Sequence, residues 1–192
     1  MKNSWQNMAH FMNLPKHTSD NCENGKCQIQ EALALLQKLS LFRDTPLDIL
    51  KLYAYLSKKH EFKKGTLIIQ QGKLCQQMYL IIKGQVSIYE EYNGINYKLQ
   101  QLEDDGLNYF GELSLLTSID SFFSAWAETD VILLSITREA FQKVMERYPD
   151  MYSKAIEKII TLRIARSTDQ TRRLIEKTSP HVWHDSDSKL KK

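Results

Sequence analysis

Cysteine is scarce in this sequence and long apolar runs are missing. Cys22, Cys27 and Cys75 are the three cysteines of 192 residues. They are too few, and odd in number, for a disulfide framework, which fits a reducing compartment. No stretch approaches the roughly 20 apolar residues that a membrane helix needs. The opening M-K-N-S-W-Q-N-M-A-H lacks the apolar core of a secretory signal, so a cytoplasmic protein without a membrane span is expected. There is no P-loop, no G-x-S-x-G elbow and no H-E-x-x-H pair. Nothing assembles a nucleophile, a base and an oxyanion donor, and an enzyme is not expected. The net charge of +3 is too small to call for nucleic acid by itself.

One absence is local. Residues 99–137 contain no Lys or Arg, yet they hold Glu103, Asp104, Asp105, Glu112, Asp120, Glu128 and Asp130. An anion bound there would be repelled unless a distant cation folded in.

What is present reads as one soluble domain with appendages: 42 % of the residues are hydrophobic and 26 % charged. Residues 1–28 are polar and irregular and are expected to form a flexible arm. His10, His17, Cys22 and Cys27 fall within it as H-x6-H-x4-C-x4-C. Zinc sites favour C-x2-4-C or H-x3-5-H pairs, so the Cys pair just qualifies, the His pair does not, and ordinary thiols and imidazoles are expected. From residue 28 to 41, Ile29, Ala32, Leu33, Leu36 and Leu39 recur at helical spacing. A second helix is predicted from Thr45-Pro46, with Thr45 as N-cap and Pro46 at the first helical position.

From Glu61 the pattern turns to short β-rich runs separated by glycine. Strands are predicted at 61–63, 66–71, 78–82, 85–92, 95–102, 122–127 and 131–136, with Asn93-Gly94 as a type I′ hairpin turn. Such a series argues for an antiparallel barrel or jelly roll. After Ile136 helical spacing returns, capped by Thr137 and interrupted at Tyr148-Pro149. A longer helix is then predicted over 150–177. The organisation expected is an arm (1–28), helices plus β-roll (29–137), C-terminal helices (138–178) and a polar tail (179–192).

Within the roll, residues 110–126 read F-G-E-L-S-L-L-T-S-I-D-S-F-F-S-A-W. Gly111 permits close backbone approach to a ligand. The turn after it offers unpaired N–H groups to an anion, and Glu112 can accept hydrogen bonds from a sugar hydroxyl. This stretch, with K-K-G-T-L-I-I-Q-Q-G and M-Y-L-I-I-K-G-Q-V-S-I, resembles the cyclic nucleotide-binding domains of bacterial catabolite-activator-type regulators, kinase regulatory subunits and gated channels. The resemblance covers about residues 36–164.

It implies a mainly β fold, a β-roll of the jelly-roll type with N-terminal helices and C-terminal hinge or lid helices. Phe110, Gly111, Glu112, Leu113 and Leu115 match the start of the phosphate-binding cassette, with Glu112 in the ribose-binding role. The family's phosphate-pairing Arg falls on Ser121 or, with one gap, on Phe122 or Phe123, ahead of Ser124. None of these is a cation. A lost charge partner costs about 2–5 kcal/mol in a desolvated site, so cAMP or cGMP is disfavoured and no other cofactor is expected. Only 178–192 follow the last helix, which is too short for the winged helix of the bacterial regulators.

The leading expectation is a non-enzymatic regulatory or interaction module with a degenerate pocket, acting on a protein partner or as a homodimer through its C-terminal helices. One alternative is a true sensor in which an arginine of the last helix (Arg163, Arg166, Arg172 or Arg173) replaces the missing charge. The other is a DNA-associated protein using that basic helix, although nucleic acid is not the favoured partner.

Overall fold

The computed structural model describes residues 22–104 and 108–178. Helix α1 (Cys22–Lys38), a 3-10 turn (Ser40–Phe42) and helix α2 (Leu47–Leu56) lead into strands β1 (Lys58–Phe62), β2 (Leu67–Ile69), β3 (Gln77–Lys83), β4 (Val86–Tyr92), β5 (Ile95–Leu102) and β6 (Tyr109–Phe110). A second 3-10 turn (Glu112–Leu115) precedes β7 (Ser124–Ala127) and β8 (Val131–Thr137). Helices α3 (Arg138–Arg147) and α4 (Pro149–Thr178) complete the chain's described part. The strands form two four-stranded antiparallel sheets, β1-β8-β3-β6 and β2-β7-β4-β5. This is the mainly β roll with flanking helices that the sequence predicts.

Strands β3 and β8, at the centre of the first sheet, are buried on both faces, and that explains their near-continuous apolar runs. Side chains alternate along a strand, so Met78 and Leu80 of β3 join Leu36, Tyr53, Phe141 and Ile159 in a core under the helices. Their neighbours Tyr79 and Ile81 join Val86, Phe110 and Leu133 inside the roll. Strand β8 divides in the same way, with Leu134 and Ile136 facing the helices and Val131 and Leu133 facing the roll.

Several boundaries differ from the sequence reading. Helix α1 begins at Cys22 and stops at Lys38, because Leu39, Leu41 and Phe42 reach the core through the tighter 3-10 turn. Pro46, not Thr45, is the N-cap of α2, and its carbonyl accepts from the N–H groups of Ile49 and Leu50 at 3.0 and 3.1 Å. Phe122 and Phe123 precede β7 rather than opening it. The Ser121 hydroxyl holds them in a bend, donating to the Phe123 carbonyl at 2.8 Å. Two local expectations hold: Thr137 caps α3 by accepting from Ala140 N–H at 3.1 Å, and Asn93 and Gly94 take φ of 52° and 77° in the β4–β5 hairpin.

Candidate functional site

Gly111 sets the cassette. Its φ is +78°, and a Cβ there would sit 2.8 Å from the main-chain oxygen of Gln77. An L side chain therefore meets both torsional strain and a backbone atom. This sharp entry turns the chain into Glu112–Leu115, which buries Leu115 in the helical core and leaves Glu112 only 4 % exposed.

The Glu112 carboxylate is the charged group buried deepest among the described residues. Its Oε1 accepts no hydrogen bond and faces Arg163 Nη1 at 4.0 Å. Three residues further along α4, Arg166 lays its guanidinium 3.8 Å from the Tyr109 ring centroid and donates to the Tyr109 carbonyl at 2.9 Å. Burial raises the pKa of the Tyr109 phenol and outweighs the nearby Arg166 cation. One turn later Gln170 donates to the Gln100 side chain of β5 at 3.1 Å. Arg163, Arg166 and Gln170 thus form one helical stripe that ties α4 across the mouth of the roll. Sequence reasoning named the two arginines among four but missed Tyr109 and Gln170. The i, i+3, i+7 spacing was the available signal.

Of the cassette residues that the sequence singled out, all but Leu115 and Ser124 line two adjoining spaces. Gly111, Glu112, Phe122, Phe123, Arg163 and Arg166 line one cavity of about 180 Å³. Beside it Gly111, Glu112, Leu113, Ser114, Ser121 and both phenylalanines enclose a notch of about 20 Å³, again with Arg163. Phe123 packs against the core of the roll, whereas Phe122 is 45 % exposed. The Ser121 backbone is bonded to Gly72 and Lys73 at 2.7 and 2.9 Å. Ser124 Oγ accepts from Gln71 N–H at 3.0 Å, so that hydroxyl faces the turn after β2.

Of the metal candidates, His10 and His17 lie outside the described residues, Cys22 opens α1, and Cys27 is an exposed free thiol. Among the described residues no group of His, Cys, Asp or Glu could hold a metal ion, and no helix is long and apolar enough to cross a membrane.

Two antiparallel sheets rolled around a core, a 3-10 turn entered through Gly111 and a helix packed across the roll define a β-roll domain with flanking helices. Residues 59–148 match the model of the cyclic nucleotide-binding domain, and that segment belongs to this family. The chain is 34 % identical over 127 residues to the human potassium/sodium hyperpolarization-activated cyclic nucleotide-gated channel 2, an alignment covering 66 % of the chain and 13 % of the channel. It is similar to the Thermus thermophilus catabolite activator protein at 26 % identity and a TM-score of 0.59, over 71 % of this chain and 63 % of that one. A cyclic nucleotide-binding domain from Methylobacillus flagellatus shares the fold at 17 % identity and a TM-score of 0.67, over 86 % and 99 % of the two chains.

Proposed function

We propose that this protein is a non-enzymatic, cytoplasmic regulatory or protein-interaction module in which the cyclic nucleotide pocket has lost its anion site. Its output leaves through α4, to a protein partner or a second copy. The observation that carries this reading is the cassette notch. Where the resemblance puts a cyclic phosphate, the space is about 20 Å³, room for about one water, and phenylalanines stand in place of a cation. Arg163 and Arg166 contact Glu112 and Tyr109, so the cations nearest the pocket serve to dock the helix.

Calorimetric titration with cAMP and cGMP tests this. Wild type is expected to give no saturable heat, and Phe123→Arg to bind. Restoring a charge partner worth about 2–5 kcal/mol raises affinity by roughly 30-fold to several thousand-fold. Phe122→Arg, at the exposed neighbour, serves as a second variant should the core position fail to fold. Micromolar binding by wild type overturns the reading.

A second reading has one observation in its favour: Arg163 lines both the cavity and the notch. Here a small anion draws Arg163 from Glu112 and shifts α4, a population change driven by that difference in affinity. Wild-type binding that Arg163→Ala abolishes would establish it. The DNA-associated reading is weaker, since two of the four arginines face the roll and Arg173 pairs with Asp169 at 2.9 Å.

A further inference from the structure

On the opposite side of the cassette turn, between α2, α3 and the first turns of α4, lies a cavity of about 190 Å³. Its floor is apolar apart from the Tyr53 hydroxyl, which is buried without a hydrogen-bond partner among the described residues: Ile49, Tyr53, Leu115, Ile136, Phe141 and Ile159 line it, and all belong to the core under the helices. Its rim is charged, with Arg43 on one side and Lys154 and Lys158 one helical turn apart on the other, against Asp44 alone. None of these three cations makes an ion pair among the described residues.

Protein interiors pack as densely as organic crystals, with few voids larger than a water molecule. An apolar cavity of about 150 Å³ stays dry and accepts a benzene-sized molecule. The floor therefore matches one aromatic ring, and the net positive rim selects a ligand that carries a negative charge at one end. A phosphorylated sugar would leave the apolar floor unused, and a neutral arene would leave the rim unused. We infer that this cavity is a binding site for a small aromatic carboxylate, with the ring on Tyr53, Phe141 and Ile159 and the carboxylate between Lys154, Lys158 and Arg43.

The position gives such a ligand leverage. Leu115 closes the cassette turn, and Ile159 lies one turn before Arg163 on α4. A ring in the floor touches both the turn and the helix that covers the roll, from the side away from the nucleotide pocket. Binding here regulates α4 whether or not the cassette accepts a nucleotide.

The test titrates the whole chain with phenylacetate and benzoate, using benzyl alcohol as the neutral control, by calorimetry and thermal shift. The acids are expected to bind saturably and raise Tm, and the alcohol to bind far more weakly. Lys154→Gln combined with Lys158→Gln should weaken acid binding by about tenfold or more, as charge-assisted hydrogen bonds predict, without lowering Tm in the absence of ligand. Ala155→Leu, which fills the cavity from α4, should abolish binding while holding or raising Tm. Phe122→Arg, in the other pocket, should leave it unchanged. The assignment is overturned if neither acid binds, if acid and alcohol bind equally, or if binding survives Ala155→Leu or the double lysine variant.

Discussion

Between residues 110 and 115 the cassette is shaped by the core, and between 121 and 124 by hydrogen bonds to its own backbone. In the first half Gly111 must pass Gln77, and Phe110 and Leu115 belong one to each hydrophobic core. Phe110, Gly111 and Leu115 thus both make the turn and hold the domain together. In the second half Ser121 is fastened to Gly72 and Lys73 through its main chain, so folding sets no demand for a cation. An arginine at that place acts on a ligand and on little else. The scaffold of a binding site and its charge are therefore separable, and a chain can keep the first for stability while lacking the second.

Gly111→Ala should bring the largest loss, about 2–4 kcal/mol in urea unfolding, because strained φ and a backbone clash add. Gly72→Ala is the matched control. Its φ is +73° with nothing within 4 Å of a Cβ, so only the left-handed strain of about 1–2 kcal/mol applies. Equal losses at the two glycines would break the claim that close packing fixes the first half.

Arg166→Ala should cost about 1–2 kcal/mol from the lost ring and carbonyl contacts. Hydrogen exchange should speed up along the second half of α4 and not in α3. A double-mutant cycle between Arg163→Ala and Glu112→Gln sharpens the point further. With Glu112 buried, the pair at 4.0 Å should couple by about 1 kcal/mol, and a coupling near zero would leave Arg166 as the anchor of the helix.

The smallest effect concerns His60, whose Nε2 lies 2.9 Å from Ser135 Oγ. Burial, and then the Lys58 charge, hold its pKa below the usual 6.5. The unfolded chain thus binds the proton more readily. The stability contributed is fully present above about pH 6.5 and is lost as pH falls through the folded-state value. His60→Gln should flatten that part of the pH–stability curve, and an unchanged slope would refute the assignment.

Much of the fold was legible because the apolar runs of β3 and β8 and the Asn93-Gly94 turn depend on local chemistry. The half-cassette F-G-E-L could be read for the same reason. The ends of elements were less legible where tertiary contacts decide them: Leu39–Phe42 leave α1 to reach the core, and Ser121 bends Phe122 and Phe123 out of β7. The docking stripe on α4 escaped because Tyr109 and Gln100 lie far away in sequence. A basic helical face looks the same in sequence whether it meets water or a ring.

The unbroken length of α4 has a mechanical consequence. Its first turns are anchored in the helical core at Met151, Ala155 and Ile159, and the helix continues to Thr178 without interruption. Arg166 and Gln170 fasten the turns beyond Ile159 to the roll; once those contacts release, a tilt of about 5° over the roughly 28 Å to the helix end carries the tip about 2.5 Å. A rearrangement smaller than a bond length at the fulcrum becomes a displacement that a neighbouring protein can read.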